Sequence, residues 1–394
     1  MDLTPQNADC IVIGAGPAGL AAAHELMRVG RRVLVLERGS AVATSWRSHR
    51  AGLRLHTVRR LSGLPGVRIP RRFGRYVTSE NLVRYMEQYS RDSLINVQSG
   101  TTVARLSRDN SAYPGERWLI TTDEGKRFAA ATVVVATGYN RLPFIPDLPG
   151  REEFSRPVIH VADYRGGGQF AGRDVLIVGA GNAAAEAATE LVSTGASRVR
   201  LAVRTTPHIV RRRIGGVSMQ TIAILMSVVP TRIADRIAAV LSRLTIPDLS
   251  ARRIARPRPD LYTRIIRDRS VPVHDTGILE LLESGTVRTV AAVEGFTSDA
   301  VRLADGSVVT PEVVVFATGY QRGLVTLLDG LNLLDDVGNP RTRSGAEAAP
   351  NLYFVGFTVS ATGALRQMGA DARRVARDQQ RQEQRRQALV TRGK

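Results

Sequence analysis

Residues 9–37, DCIVIGAGPAGLAAAHELMRVGRRVLVLE, constrain the fold of this 394-residue chain more than any other stretch. The apolar run 11–13 reads as a buried parallel strand. It leads into Gly14-x-Gly16-x-x-Gly19, where Gly14 permits a tight turn and Gly16 admits a pyrophosphate to the backbone. Gly19 lets the following helix pack close to the strand. Residues 21–27 supply that helix, Gly30 stops it, and residues 32–36 form a second strand. Glu37 closes this strand 18 residues after Gly19. A carboxylate there accepts hydrogen bonds from both ribose hydroxyls and repels a 2′-phosphate, so the expected ligand is FAD or NAD rather than NADP. Arg38, next in the chain, joins the candidate site.

The pattern starts again at Asp174. Residues 175–178 read as a strand and Gly179-x-Gly181-x-x-Ala184 as the turn, with Asn182 inside it. A helix over 186–192 stops at Gly195, and a second strand covers 199–203. Where the first unit has Glu37, this one has Arg204, followed by Thr205 and Thr206. A guanidinium can grip a 2′-phosphate bidentately, so the second site reads as one for NADPH. The tetrapeptide Ala-Thr-Gly-Tyr occurs at 136–139 and again at 317–320. In each copy a glycine after a buried strand lets the chain cross beneath a nucleotide, making Thr137, Gly138, Thr318, Gly319 and Tyr320 candidate contacts. A strand over 351–356, a loop over 357–363 and a helix from Ala364 end the fold. The helix N-terminus after Gly363 offers free N–H groups and a positive dipole, which suit the electron-rich edge of a reduced flavin.

These units predict an α/β protein with two Rossmann-like dinucleotide-binding domains, the second inserted in the first. The first covers 1–168 and 320–394, the second 169–319 with a helical insertion at about 214–260. Trp46, in the irregular segment 38–75, can shield a flavin or serve as a packing aromatic. His56 in the same segment has no carboxylate near it in sequence and reads as structural, although the loop is expected near the cofactor. A helix is expected over 76–91, capped by Thr78 or Ser79 with Glu80 in its first turn. Short strands follow at 101–106, at 118–122 after a Pro114–Gly115 turn, at Phe128 and at 132–136. Pro143, Pro146 and Pro149 mark an exit from the first domain. In the insertion, a helix from Thr231 carries Ile233, Ile237, Val240, Leu241 and Leu244 on one face and Arg232, Arg236 and Arg243 on another. The apolar stripe is read as capping a pocket or packing on the core rather than lying on a membrane. Further strands are expected at 286–293, 300–303 and 313–317. Beyond Arg377 the chain reads as a solvated helix extension or a disordered tail.

The net charge of +19 comes almost wholly from arginine, since only Lys126 and Lys394 are lysines. The arginines are scattered, so the charge reads as a solvated surface rather than a nucleic-acid site. Cys10 is the only cysteine, which excludes a CxxC dithiol relay. No signal pattern precedes the first strand, and the longest apolar run, 222–230, is far too short to span a bilayer, so a cytoplasmic protein is expected. No nucleophilic triad and no metal site are found.

The two fingerprints with their Ala-Thr-Gly-Tyr crossings resemble the class B flavin monooxygenases. That family's motif, Phe-x-Gly-x-x-x-His-x-x-x-Tyr/Phe, is matched by Phe154, His160 and Tyr164, with Arg156 in place of the glycine. Within the class the chain is most similar to the plant YUCCA enzymes and their bacterial relatives. The residues that carry this likeness are Leu53-Arg54-Leu55-His56, Ser62-Gly63-Leu64-Pro65, Pro272-Val273-His274-Asp275-Thr276-Gly277, Phe316-Ala317-Thr318-Gly319-Tyr320 and Leu352-Tyr353-Phe354-Val355-Gly356-Phe357-Thr358. Ala43-Thr44-Ser45 stands where a glycine pair usually precedes Trp46, and Val359-Ser360-Ala361-Thr362 replaces a basic pair. The resemblance implies an enzyme that takes FAD, NADPH, O2 and a small organic substrate and forms a flavin C4a-(hydro)peroxide. It implies flavin-borne chemistry, with His160 and Tyr164 between the nucleotide domains as positioning rather than acid–base residues. The relatives convert indole-3-pyruvate to indole-3-acetate, which makes an aryl 2-oxo acid the first candidate substrate. N- or S-oxygenation of a soft nucleophile, and NADPH oxidation without substrate oxygenation, are the alternatives. A non-catalytic basic surface-binding protein is a third reading, against which both intact glycine fingerprints argue.

Overall fold

The computed structural model describes residues 6–50, 52–109 and 117–392. The chain divides into two compact units, one of Met1–Leu142, Gln321–Thr358 and Gly363–Lys394, the other of Pro143–Tyr320 and Val359–Thr362.

In the first unit, strand Gln6–Ile13 lies between Val33–Leu36 and Arg127–Val135, parallel to both. Leu352–Phe354 and Asn96–Gln98 continue the parallel sheet on the two sides. Ile11, Val12 and Val133 to Val135 are fully buried, as a parallel sheet covered on both faces requires. The separate strands expected at Phe128 and 132–136 are one strand, Arg127–Val135. It pairs parallel with the first strand on one edge and antiparallel with Arg117–Thr122 on the other. The expected Pro114–Gly115 turn lies outside the described residues. Helix Pro17–Arg28 starts four residues before the expected 21, with Pro17 at its first position, where a missing N–H costs nothing. Helix Ser79–Asp92 is capped by Thr78, whose Oγ1 accepts from the Asn81 N–H (3.3 Å).

The segment after Arg377 is neither wholly solvated nor a tail. It continues helix Ala364–Arg392. Gln379 is buried there, accepting from the Thr132 hydroxyl (2.9 Å) and donating to Tyr353 Oη (3.1 Å). Tyr353 Oη in turn donates to Asp378 (2.6 Å). These polar contacts pin the helix extension to the sheet, because a buried amide must find partners.

In the second unit the parallel sheet runs Val287–Val290, Arg198–Ala202, Asp174–Val178, Val313–Phe316, Val158–His160. Segment 143–168, expected with the first domain, belongs here because Val158–His160 pairs with Val314 to Phe316 as the sheet's edge. The strand expected over 286–293 is broken: Val287–Val290 joins this sheet, and Val293–Phe296 joins a small antiparallel sheet with Val301–Leu303.

The helical insertion corrects the expected packing of its amphipathic helix, Thr231–Thr245. The helix buries Ala234 and Asp235, while Ile233, Val240 and Leu244 are 49, 54 and 77% exposed. Asp235 sets this rotation. Its carboxylate accepts from the Tyr262 N–H (2.6 Å) and the Thr263 hydroxyl (2.6 Å), capping helix Leu261–Arg267. Only one flank of the stripe meets the pocket reading. Ile237 and Leu241 border a cavity of about 290 Å³ lined also by Ile209, Ile222 and Met226. Among the described residues, no helix is long and apolar enough to cross a membrane.

Trp118 is fully buried in the first unit, and its Nε1–H donates to the Pro350 carbonyl (3.0 Å). Trp118→Phe opens a gap and removes that donor. The expected loss is roughly 1–3 kcal/mol of stability, read as a lower urea midpoint at unchanged slope.

Candidate functional site

The first cradle is built by close backbone contact. A Cβ on Gly14 (φ +105°) would meet the Ala136 carbonyl oxygen at 2.6 Å, and one on Gly19 would meet the Gly14 oxygen at 1.8 Å. Only glycine tolerates both approaches. Around Gly16, by contrast, a Cβ would find nothing within 4 Å, so the space before helix Pro17–Arg28 is open. No side chain caps that helix. Its first N–H groups face the open turn, where they are free to meet an anion.

Glu37 is buried at the end of strand Val33–Leu36. Its Oε2 accepts from the Ala15 N–H (2.7 Å) and its Oε1 from the Gly39 N–H (2.8 Å). Each carboxylate oxygen keeps acceptor capacity for a hydroxyl donor, and both are fixed in place before any ligand arrives. Arg38 is exposed beside it, in the electrostatic neighbourhood of Arg141. Burial first, and then the Arg38 charge, hold the Arg141 guanidinium below its ordinary value. Two cations at this point suit an anionic ligand. The Thr137 hydroxyl is buried without a partner among the described residues, and Gly138 follows at φ +91°. An orphaned hydroxyl in the crossing segment fits a group still to be bound.

Gly363 (φ +102°) is buried immediately before helix Ala364–Arg392. Gly356, read from sequence only as part of a strand, has a further role. At φ +92°, its Cβ would lie 2.8 Å from that of Ala18, so it brings the chain against the N-terminus of helix Pro17–Arg28. Trp46 is half-buried against the core, edge-on to His49 (5.3 Å), which is the packing role. His56 is half-buried beside Leu55, whose N–H bonds the Val77 carbonyl.

The second cradle repeats the contact. A Cβ on Gly179 (φ +131°) would meet the Ala317 oxygen at 2.5 Å, while Gly181 faces open space. Helix Asn182–Ser193 also has no side-chain cap, and Ala184 is fully buried. Arg204 and Thr205 are exposed just past strand Arg198–Ala202, where a guanidinium is free to meet an anion. The Asn182 side chain is engaged by the protein itself. It donates to the Pro272 carbonyl (2.9 Å) and accepts from the His274 N–H (2.8 Å), stapling strand Val273–Asp275 to the helix. Asp275 accepts from Arg211 (2.9 Å) and from the Gly277 N–H (3.0 Å). The 272–277 motif therefore holds the insertion in place.

The motif residues 154–164 also lie within this unit, where Val158–His160 is a strand of its sheet. Phe154 packs edge-on to Phe296 (5.2 Å), and buried Tyr164 stacks on Phe170 (5.9 Å). Arg156, in the glycine position, donates to the Thr310 and Pro311 carbonyls (3.2 and 2.9 Å). His160 is held as one tautomer. Its Nδ1 accepts from the Ala162 N–H (3.0 Å), so Nε2 carries the proton and donates to the Gly319 carbonyl (3.0 Å). Burial holds the ring's pKa below its ordinary value. The ring meets Tyr320 edge-on (5.1 Å). The Gly319 oxygen also accepts from the Phe144 N–H (3.0 Å), and the Thr318 hydroxyl donates to the Phe144 carbonyl. His160 is thus a positioning residue for the second crossing. Among the described residues, no group of three His, Cys, Asp or Glu is placed to hold a metal ion.

A family model described as pyridine nucleotide-disulphide oxidoreductase matches residues 11–233. The indole-3-pyruvate monooxygenase YUCCA1 of Oryza sativa subsp. japonica is 33% identical over 380 residues, covering 93% of this chain and 90% of the relative. The probable indole-3-pyruvate monooxygenase YUCCA1 of Arabidopsis thaliana is 31% identical over 88% of this chain and 84% of its own. Among solved structures, the flavin-containing monooxygenase from Stenotrophomonas maltophilia superposes with a TM-score of 0.71 at 22% identity, over 95% of this chain and 98% of that one. Cyclohexanone monooxygenase from Rhodococcus sp. Phi1, bound to NADP+, superposes at 0.68 with 20% identity, over 97 and 85%. These structural likenesses show the shared two-Rossmann fold. The dithiol in the family model's description has no counterpart: Cys10 is the only cysteine, buried, with its thiol pushed up to about 11 by desolvation.

Burial lowers the pKa of His24, His160, His208 and His274, the last to about 4. The folded state keeps these rings neutral, whereas the unfolded chain takes protons near pH 6.5. Their contribution is therefore whole above about pH 6.5 and is lost as pH falls from there toward 4, by at most about 1.4 kcal/mol per pH unit per ring. Asp371, pushed up to about 6 by burial, works in the opposite direction over the same range. The readout is therefore a difference: His274→Gln should flatten the fall of unfolding free energy between pH 6.5 and 4.5 relative to the wild type.

Proposed function

Because the chain belongs to the family of the plant YUCCA flavin monooxygenases, we propose that it oxidatively decarboxylates an aryl 2-oxo acid, with indole-3-pyruvate as first candidate. The enzyme is a monooxygenase that uses FAD and NADPH on a small organic substrate. What carries the narrower reading is the end-to-end likeness, 33% over 93% of the chain, to relatives named for that reaction. One oxygen atom of O2 enters the acid, the other leaves as water, and NADPH supplies the two electrons. The carbon–carbon bond to the carboxylate breaks, releasing CO2 and an acid one carbon shorter.

The bound flavin supplies the hydride acceptance and oxygen activation. The chain's residues supply binding and orientation. In our assignment the turn Gly14–Gly16–Gly19 and the N–H groups of helix Pro17–Arg28 hold the FAD pyrophosphate. Glu37 takes the ribose hydroxyls through the lone pairs that Ala15 and Gly39 leave free. Thr137 offers its unpartnered hydroxyl, and the helix after Gly363 turns its positive end to the flavin's electron-rich edge. The turn Gly179–Gly181–Ala184 holds the NADPH pyrophosphate, and Arg204 with Thr205 grips the 2′-phosphate. His160 keeps the segment Gly319–Tyr320 in place and moves no proton, since both of its nitrogens are engaged. The net charge of +19 favours encounter with an anionic substrate. The reading places the enzyme in the cytoplasm, where NADPH is supplied.

Two outcomes test these assignments. With the substrate supplied under ¹⁸O2, one label should appear in the shortened acid; label only in a sulfoxide or hydroxylamine across a substrate panel moves the chain to heteroatom oxygenation. Arg204→Ala should raise KM for NADPH by roughly ten- to a hundredfold and leave KM for NADH nearly unchanged. Equal losses for both cofactors would make Arg204 structural.

A further inference from the structure

Helix Thr231–Thr245 is turned inside out relative to an ordinary surface helix. Its buried side is made of Ala234 and Asp235, with Ala238, Ser242 and Thr245 half-buried beside them. Its outer side carries Ile233, Val240 and Leu244, with Ile237 between them and the cavity, and is bordered along one edge by exposed Arg232, Arg236 and Arg243, the last also reaching the cavity rim. Val228, in the turn leading into the helix, is 85% exposed. Aliphatic side chains in a contiguous stripe do not face water without an occupant. Rotation cannot hide them, because turning the helix would break the buried Asp235 cap on the Tyr262 and Thr263 N–H groups.

We propose that this helix docks on an anionic lipid surface, its apolar stripe entering the headgroup–acyl boundary and its arginines meeting lipid phosphates. Charge decides the occupant. The only acidic residue of the helix, Asp235, is buried, so the outer face is purely cationic and apolar. Among the described residues, Arg232, Arg236 and Arg243 have no acidic partner. A two-fold contact with a second copy would bring these arginine rows toward each other without a compensating carboxylate. An anionic bilayer matches both the charge row and the apolar row along a helix of about 22 Å. The protein's net charge of +19 adds long-range attraction to the same surface. The contact is peripheral, since no described helix can cross a bilayer.

The test uses the full-length holoenzyme and vesicles of phosphatidylcholine alone or with an equal part of phosphatidylglycerol, read by cosedimentation at low and high salt. Binding to the mixed vesicles, weakened by salt and near absent on phosphatidylcholine, is expected. Ile233→Ser with Leu244→Ser should lower the partition coefficient by at least about tenfold. Replacing Arg232, Arg236 and Arg243 with Gln should lower it by roughly a hundredfold. NADPH oxidation by these variants without vesicles should match the wild type, which certifies their folding. Failure of the wild type to bind mixed vesicles, or equal binding by all variants, overturns the proposal. So does a wild-type dimer in sedimentation velocity that Ile233→Ser with Leu244→Ser abolishes, which would assign the face to a second copy.

Discussion

Two backbone crossings organise the molecule. In each unit the glycine that ends the first strand lies against the carbonyl that ends the returning strand: Gly14 on Ala136, and Gly179 on Ala317. A side chain at either glycine would overlap the carbonyl oxygen. The crossing fixes where the following helix begins, and so where its unbonded N–H groups point. It also explains why the Ala-Thr-Gly-Tyr segment accompanies the glycine turn in both units, since the two are halves of one contact.

On this common frame the two cradles differ in ways that matter chemically. In the first, a buried carboxylate is held by two backbone N–H groups, and the Thr137 hydroxyl has no partner among the described residues. In the second, an exposed guanidinium stands at the equivalent strand end, and Thr318 is already bonded to Phe144. At the first crossing the Arg322 guanidinium donates to the Tyr139 carbonyl (3.2 Å), whereas His160, with one ring nitrogen accepting and the other donating, locks the second. Neutral hydrogen bonding does this without a buried charge, which would carry a desolvation cost.

The helical insertion follows a different logic. Its position is secured by polar staples, Asn182 on segment 272–274, Asp275 on Arg211 and Asp235 on helix Leu261–Arg267. Gln220 also donates to the Thr362 carbonyl (2.8 Å), tying helix Met219–Met226 to the segment Val359–Thr362. With orientation set by hydrogen bonds rather than by burial of aliphatic surface, the apolar stripe of helix Thr231–Thr245 is left to face outward.

Much of this was legible in the sequence, because glycine spacing, strand hydrophobicity and the charge at the end of a strand are local properties. The two dinucleotide units, their helices, Glu37 against Arg204, and the Thr78 cap all follow from residues near one another in the chain. Tertiary structure decided what depends on distant partners. Segment 143–168 joins the second unit because Val158–His160 finds its pairing partner at Val314 to Phe316, far along the chain. Asn182 is taken up by the backbone at 272–274, and Gln379 is buried because Thr132 and Tyr353 wait for it. An amphipathic pattern tells which residues share a face of helix Thr231–Thr245. It cannot tell which face turns inward, and here a single buried carboxylate, Asp235, made that choice.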